Sequence, residues 1–436
     1  MKNNLLKISL LGCALHSASN ANEALDLLEG RITEDEVTVT ELLKPSEEEV
    51  ALEEAQAAAE EEARVLRDTR DYSGRWKEQL TPLGVVYEDE GNTIIQRIAI
   101  DGLVEYGLTN GDLEADQGGS TDGGESRLKR ARLGAMVQAF YNTDLEARVV
   151  ADDDGYQGID TLKATIEFNE ALELEVGKFR APFGQDFRLD PNVRHSIGLS
   201  RLSTQLSPGN TLGVQLNVYD GPWDFGLGYY SGDLDENLPG LERGFVLANI
   251  GYTLLGASAP NPEDENARVP PGYQRWYLDY IFNTDPDNSE NLAGVEHLLS
   301  TGVATSAGRF DFDGEFILAN GPDTSAWGLN LVARHWLLED AIRLVGRYSY
   351  ADSDDPGGIF LGLGVEGAEG DTTQALAGFD TVVAGDELHS FYLGLDWHIL
   401  QDYLLITTGL EYTFLGDDTN GDSDLLLWHS GARLAF

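Results

Sequence analysis

Apolar and polar positions alternate with period two along residues 425–436, at the end of the chain. Leu426 and Trp428 fall on one face of an extended segment, and His429 and Arg433 fall on the other. A strand of about ten residues with this pattern is long enough, when tilted, to cross a bilayer with lipid on one side and water on the other. The alternative for this segment alone is an edge strand of a soluble β-sandwich.

The same alternation recurs after residue 93 and predicts sixteen strands. We place them at 94–107, 127–140, 144–151, 160–168, 171–180, 211–219, 223–231, 244–254, 274–282, 293–305, 309–319, 326–338, 341–351, 388–399, 403–415 and 425–436. An even count suits a closed barrel whose two termini lie on one side of a membrane. The predicted fold is all-β, a 16-stranded antiparallel transmembrane β-barrel over residues 94–436.

The links between these strands alternate between short and long. Links expected on the periplasmic side are short, as at 142–143, whereas the outward links include 108–126, 181–210 and 352–387. The link 255–273 is long where a short turn is expected, so either this turn is elaborated or a nearby strand is misplaced. A sandwich has no reason to alternate its loops in this way, and the alternation therefore favours the barrel.

One face of each strand is predicted to contact lipid. Outward positions include Leu145, Ala147, Val149, Val214, Leu216, Val218, Trp276, Leu278, Tyr280, Phe282, Phe391, Leu393, Leu395 and Trp397. Aromatic residues gather near the strand ends, as in the girdles at membrane interfaces.

The segment before the barrel has a different character. Residues 1–21 have the basic, apolar and small-residue regions of a secretory signal peptide. A lipoprotein signal acylated at Cys13 is the alternative, and because Cys13 is the one cysteine of the chain, no intramolecular disulfide is predicted.

An acidic helix is predicted to follow a linker at residues 22–45. The helix covers 46–71, with Ser46 and Glu49 as its capping box, and a connector at 72–93 leads to the barrel. A narrow seam of alanine and leucine at three- and four-residue steps indicates a short periplasmic coiled coil. A single solvated helix or a flexible acidic spacer is the alternative.

Charge and composition restrict the classes of function. The chain has 76 acidic and 29 basic residues and a net charge of −47, which argues against a nucleic acid partner. No apolar run outside the N-terminus is long enough for a membrane helix, so a membrane role requires a closed barrel. No metal-ligand spacing or nucleophile elbow accompanies the seven histidines, so neither an enzyme nor a cofactor is predicted. Asp/Gly runs at 152–155 and 416–422 lack the EF-hand register, and solvated turns are favoured there over Ca²⁺ sites.

Two motifs resemble a known family. Residues 130–134 read Arg-Ala-Arg-Leu-Gly in the second strand, and residues 177–184 read Gly-Lys-Phe-Arg-Ala-Pro-Phe-Gly where the fifth strand ends. Together with the acidic helix, the strand count and the terminal Phe436, they make residues 94–436 similar to the phosphate-selective porin O/P family. The resemblance implies a homotrimer of outer-membrane barrels, each with its third loop, here 181–210, folded into the pore as a constriction.

The resemblance also implies basic side chains in the pore. Arginines that could attract anions at the constriction are Arg180, Arg188, Arg194 and Arg201. A guanidinium group suits this role because its paired donors match the geometry of an oxyanion. Further basic residues are predicted on the pore wall: Arg130, Arg132, Arg148, Lys163, Arg334, Arg343, Arg347 and Arg433. The alternative for each is an ion pair within the wall, since acidic residues occupy neighbouring positions on the lumen face: Asp101, Glu105, Glu146, Glu167, Glu173, Glu175, Asp279, Asp311, Asp313, Glu315, Asp396 and Glu411.

The sequence as a whole predicts a passive outer-membrane channel for small hydrophilic solutes, with outer-membrane lipid as its surroundings. Preference for anions or phosphate is the sharper hypothesis, and the mixed wall and acidic outer loops leave a general or cation-leaning channel open. A structural protein that tethers the envelope through its acidic arm is one rival. A barrel enzyme is the other, but the sequence shows no recognisable Ser/His/acid set for it.

Overall fold

The structure is a computed structural model. It describes residues 84–89, 91–116, 119–185, 206, 208–233, 243–254, 274–290, 292, 294–322, 325–338, 341–354, 359–361, 383–400, 404–417 and 421–435. The predicted signal peptide, linker and acidic helix, most of the connector 72–93 and the link 255–273 lie outside the described residues. Among the described residues, no helix has the length and apolar character needed to span a membrane.

Nineteen strands account for most of the described residues. They are β1 (Val85–Glu88), β2 (Ile95–Ala115), β3 (Gly119–Ala139), β4 (Thr143–Asp152), β5 (Gly155–Asn169), β6 (Leu172–Arg180), β7 (Asn210–Asp220), β8 (Trp223–Ser231), β9 (Gly244–Leu254), β10 (Gln274–Asn283), β11 (His297–Ala307), β12 (Phe310–Asn320), β13 (Ser325–Leu338), β14 (Ile342–Ser353), β15 (Ile359–Leu361), β16 (Val383–Gly385), β17 (Glu387–Leu400), β18 (Leu404–Gly416) and β19 (Ser423–Ala435).

Sixteen of these strands close into one antiparallel barrel. β2 to β14 pair in chain order, β14 then pairs with β17, and the ladder continues through β18 and β19 back to β2. Each predicted strand overlaps one strand of the barrel. The prediction of a closed 16-stranded antiparallel barrel is therefore confirmed.

The seam of the barrel lies between the first and last strands. β19 pairs with β2 only from Leu103 to Ala115, and β1 pairs with the earlier part of β2, from Arg97 to Ala99. The two strands therefore occupy successive parts of the edge of β2. This arrangement supplies hydrogen-bond partners to backbone groups that water could not reach within a bilayer.

The stretch 108–126, predicted as an outward loop, is instead a β-hairpin. β2 continues to Ala115 and β3 begins at Gly119, with paired residues such as Leu113 and Thr121 between them. The glycine and aspartate content suggested turns, but pairing of β2 with β19 continues to Ala115 and supports the extended backbone. The link between β4 and β5 is likewise only two residues long, at 153–154, so the outward links are less uniformly long than the sequence predicted.

Short turns connect the strands at the opposite end, as predicted. They lie at 140–142, 170–171, 221–222 and 308–309, and Gly221 and Gly308 have φ values of +58° and +65°. We call this end of the barrel the turn end. The opposite end, where β6 ends and the segment 181–185 begins, is called the loop end.

The two faces of the strands divide as the alternation predicted. All fourteen proposed outward residues are exposed, and the large ones range from 36% exposed at Val218 to 61% at Leu393. In the final strand Leu426 and Trp428 are exposed, whereas Leu425 and Leu427 have no exposure. The outer surface of the barrel is thus apolar, as contact with lipid requires.

Buried apolar side chains inside the barrel gather near the loop end. We call this cluster the apolar cap. Its members on the strands are Phe179, Tyr230, Phe245, Leu247, Ile281, Leu298, Ile317, Ala319, Ala351, Ile359, Leu388 and Leu415, and those between strands are Ala181, Phe183, Leu292 and Val295. Residues that follow β6, residues that follow β10, and Ile359 of β15 between β14 and β17 therefore pack against the inner wall.

Candidate pore constriction and lumen wall

The first residues of the predicted third loop, 181–185, turn into the lumen. The backbone N–H of Gly184 donates to Oδ2 of Asp279 at 2.9 Å, and that of Gln185 donates to Oε1 of Glu315 at 2.9 Å. Asp279 lies on β10 and Glu315 on β12, four and six strands away from β6 around the barrel. The segment therefore reaches a distant part of the inner wall instead of leaving the barrel outward.

Side chains of the wall hold these two carboxylates in place. Asn249 donates from Nδ2 to Oδ1 of Asp279 at 2.9 Å and to the carbonyl oxygen of Pro182 at 2.9 Å. The hydroxyl of Ser300 donates to Oε1 of Glu315 at 2.7 Å. The segment is thus fixed by charge-assisted hydrogen bonds whose acceptors are themselves oriented.

Gly184 and Phe183 explain why this sequence permits the inward turn. Gly184 has a φ of +73°, and a Cβ there would lie 2.6 Å from Oε1 of Glu315, so only glycine fits without displacement. The neighbouring Phe183 is 1% exposed and packs in the apolar cap. Part of the Gly-Lys-Phe-Arg-Ala-Pro-Phe-Gly motif is therefore a docking element.

Most of the basic residues predicted on the pore wall form ion pairs with wall carboxylates. Pairs with separations of 2.7 to 3.2 Å join Arg148 to Asp101 and Glu146, Lys163 to Glu175, Arg343 to Asp396, and Arg347 to Glu411. Arg132 pairs with Asp160, and Arg334 pairs with Asp313. The two remaining members, Arg130 and Arg433, are 8% and 6% exposed. These six basic residues therefore form ion pairs within the wall, which was the alternative raised for them from the sequence.

A β-bulge on β3 brings two consecutive basic side chains to the inner face. Glu105 pairs with Arg130 and Tyr106 pairs with Leu128, so Lys129 is the extra residue of the bulge. A Cβ on Gly107 would lie 2.2 Å from Cε of Lys129, which shows that the lysine side chain crosses the inner face of β2. Strict alternation had placed Lys129 on the outer face, so the sequence pattern missed it.

A second bulge, on β5, directs Asp160 inward. Arg148 pairs with Thr161 and Val149 pairs with Ile159, which leaves Asp160 as the extra residue. Asp160 accepts from Arg132 and, at 3.0 Å, from Nδ2 of Asn210. The sequence reading did not place Asp160 on the wall, because the bulge reverses the alternation at that point.

Basic and acidic side chains are concentrated on different parts of the inner wall of β3 and β6. The middle of β3 carries four basic residues: Arg127, Lys129, Arg130 and Arg132. Residues 127–139 contain no acidic residue. At the turn end of β6 lie Glu173 and Glu175, both of which accept from Nδ2 of Asn217, at 2.9 and 3.2 Å. An anion that reaches the middle of β3 therefore meets a local group of basic side chains.

Comparison with known families bears on this barrel directly. The family model described as phosphate-selective porin O and P matches residues 100–247, which extend from β2 into β9. Over these residues the chain is similar to this porin family. The recognition made from the sequence motifs is thereby confirmed, and the match supports an outer-membrane channel in place of an enzyme. No curated protein sequence matches the chain.

Solved structures with a similar fold include an outer-membrane channel and an anion-selective porin. OprB of Pseudomonas putida is 11% identical with a TM-score of 0.50, over 78% of this chain and 94% of that one. The channel DcaP of Acinetobacter baumannii is 12% identical with a TM-score of 0.48, over 80% and 99% of the two chains. The anion-selective porin of Comamonas acidovorans is 12% identical with a TM-score of 0.47, over 78% and 99%. At these identities the likeness concerns the fold alone.

The four arginines that the sequence assigned to the constriction are only partly placed in the structure. Arg180 ends β6, opposite Asn210, and is near enough to Asp160 to interact with its charge. Arg188, Arg194 and Arg201 lie outside the described residues. The structure also adds a wall pair that the sequence reading had not named, Arg275 with Asp224 at 2.8 Å.

Proposed function

We propose that this porin is a passive channel for small hydrophilic solutes, narrowed by its third loop, with a preference for oxyanions. The observation that carries the narrowing is the bonding of segment 181–185 to Asp279 and Glu315. A chain segment fixed against the inner wall several strands from its origin reduces the cross-section available to solute. No energy source is needed, because solutes move down their own gradient.

The basic residues of β3 support the preference for oxyanions. Four of them face the lumen on this one strand. Arg180 of β6 is also near them, because its charge and that of Arg132 both interact with the carboxylate of Asp160. Wall carboxylates fix the positions of Arg132 and Arg148, so these groups can present donors without losing much side-chain freedom. The alternative is a general or cation-leaning channel, in which the same pairs only stiffen the wall.

Reversal potentials in a planar bilayer test this proposal. Under a KCl gradient we expect an anion-selective potential, and added phosphate should reduce the chloride current. Arg130→Gln should lower the anion preference, whereas Arg275→Gln, which removes the same charge from the turn-end pair with Asp224, should leave it nearly unchanged. A cation-selective potential with no effect of phosphate would reject the oxyanion preference and leave the channel itself intact.

Assembly into a homotrimer in outer-membrane lipid is part of the same proposal. It rests on the family resemblance, and cross-linking of the protein in native membranes followed by denaturing electrophoresis tests it. A trimer that resists detergent is the expected result, and a monomer at every cross-linker concentration would contradict it. The role of the acidic arm 46–71, including envelope tethering, stays a prediction, because that segment lies outside the described residues.

A further inference from the structure

We propose that solutes cross this channel along one sector of the lumen, lined by the inner faces of β2 to β5, and that Val150 and Thr109 lie beside their path. The inference rests on the proposed channel function and adds where within the barrel the path runs. Three observations carry it: the solvent exposure of the inward side chains, the position of the apolar cap, and the strand register that places Val150 and Thr109 on the inner face.

The apolar cap closes a large part of the wall near the loop end. Tyr230, Phe245, Leu298 and Leu388 face the lumen from β8, β9, β11 and β17, and each has 0% exposure. Phe183 from the docked segment packs in the same cluster. Water is excluded from these surfaces, so a hydrated solute cannot move along them without breaking apolar contacts.

Several charged side chains on the inner faces of β4 and β5 contrast with the cap. The side chains of Glu146, Arg148, Asp160 and Lys163 keep 11% to 13% exposure although all four lie in ion pairs. The inward positions of Val150 on β4 and Thr109 on β2 are also partly exposed. Solvent therefore reaches this sector at these positions.

Register places Val150 among charged groups of this sector. On β4 it follows Arg148 and precedes Asp152 on the inner face, and it pairs with Arg132 on β3 and Gly158 on β5. Glycine opposite Val150 leaves room beside it on the inner wall. On β2, Thr109 has an equivalent inward, partly exposed position and pairs with His429 of β19.

Both bulges of the charged wall fall in the same sector. They direct Lys129 and Asp160 inward beside Arg130 and Thr161, respectively. Bulges often occur where a barrel re-aims side chains for function. A small oxyanion that follows this sector would pass several guanidinium and ammonium groups, of which Arg132, Arg148 and Lys163 are held by wall carboxylates.

Single-cysteine variants test the position of the path. The chain has one cysteine, Cys13, within the predicted signal peptide, so Val150→Cys, or Thr109→Cys as a second variant, introduces a thiol with little background. Purified channels in a planar bilayer are treated with a sulfonate-bearing or a trimethylammonium-bearing methanethiosulfonate. The matched control is Thr413→Cys, which faces the lumen from β18 with 0% exposure. Slower electrophoretic migration after boiling, as for the parent, verifies that each barrel is folded.

The expected result is that both reagents change the conductance of Val150→Cys and Thr109→Cys. The anionic reagent should lower the anion-to-cation permeability ratio, and the cationic reagent should raise it, by about threefold or more, since each adds one charge within a Debye length of the path. Thr413→Cys and the parent should not respond. If neither sector variant responds, or if only Thr413→Cys responds, the proposed path is wrong while the channel function stands. If the parent is cation-selective yet both sector variants respond, the path is supported and only the oxyanion preference fails.

Discussion

Removing the carboxylate of Asp279 should release segment 181–185 from the inner wall. This carboxylate is fully buried and accepts from the backbone N–H of Gly184 and from Nδ2 of Asn249. The bond from Gly184 is the one that joins the segment to this carboxylate, and a hydrogen bond to a charged group contributes about 1.5–3 kcal/mol, so Asp279→Ala weakens docking by about that amount. Since about 1.4 kcal/mol corresponds to a factor of ten, the undocked population should rise roughly 10- to 100-fold.

Single-channel recordings in a planar bilayer measure this release. We expect Asp279→Ala to show a larger mean conductance and more open-channel noise than the parent, because the docked segment narrows the lumen. Asp279→Asn keeps one acceptor oxygen and should show an intermediate effect. The control is Asp311→Asn, which removes a carboxylate charge from the wall of β12 without a bond to segment 181–185 in the described structure.

A double-mutant comparison separates docking from charge. Glu315→Gln weakens the neighbouring bond to Gln185, and its effect should not add to that of Asp279→Ala, because both side chains hold one segment. If Asp279→Ala and Asp311→Asn change the conductance equally, or if the noise of Asp279→Ala equals that of the parent, docking does not set the width of the pore.

Three further predictions concern single positions. Gly184→Ala should destabilise docking by about 1–3 kcal/mol, because its φ of +73° and a wall carboxylate 2.6 Å from the added Cβ both oppose it, and recordings should resemble Asp279→Ala. Arg343→Met leaves Asp396, which is 0% exposed, without its paired cation and should lower the unfolding free energy in lipid vesicles by about 3–5 kcal/mol, with partial rescue by adding Asp396→Leu. At the exposed loop end, the backbone N–H and hydroxyl of Ser325 lower the pKa of Asp354 below its ordinary value of 3.8. This stabilising contact is therefore fully present above that value and is lost as the pH falls through the lowered pKa, and amide exchange at Ser325 should accelerate there relative to the intrinsic rate. Unchanged protection of Ser325 at acid pH would contradict that account.

Period-two alternation was enough to predict the number of strands and the direction of most side chains. In β4, β10 and β17, the exposed residues are those that the alternation assigned to lipid, such as Leu145, Trp276 and Leu393. The physical reason is local: successive side chains of a strand point to opposite faces, and a barrel in lipid must be apolar on one of them. The motif at 177–184 likewise marked the place where the chain turns inward, although not its partners.

Partners across the wall were decided by the tertiary structure. Asp101 and Arg148 are 47 residues apart, and Gly184 and Asp279 are 95 apart, so their contacts depend on the order and register of several strands. The alternation also failed at Lys129, where a bulge brings two successive residues to one face.

The length of the β-hairpin at 108–126 was also decided by the tertiary structure. Its glycine and aspartate residues favour turns locally, but backbone pairing between β2 and β19 outweighs that preference. Sequence alone therefore determined that this chain forms a 16-stranded barrel with an apolar exterior. The alternation of apolar and polar side chains that encodes both features is read from residues next to one another in the chain. Which charges neutralise one another, and where the third loop docks, was decided only by the closed barrel, because closure brings together strands that are distant in the chain.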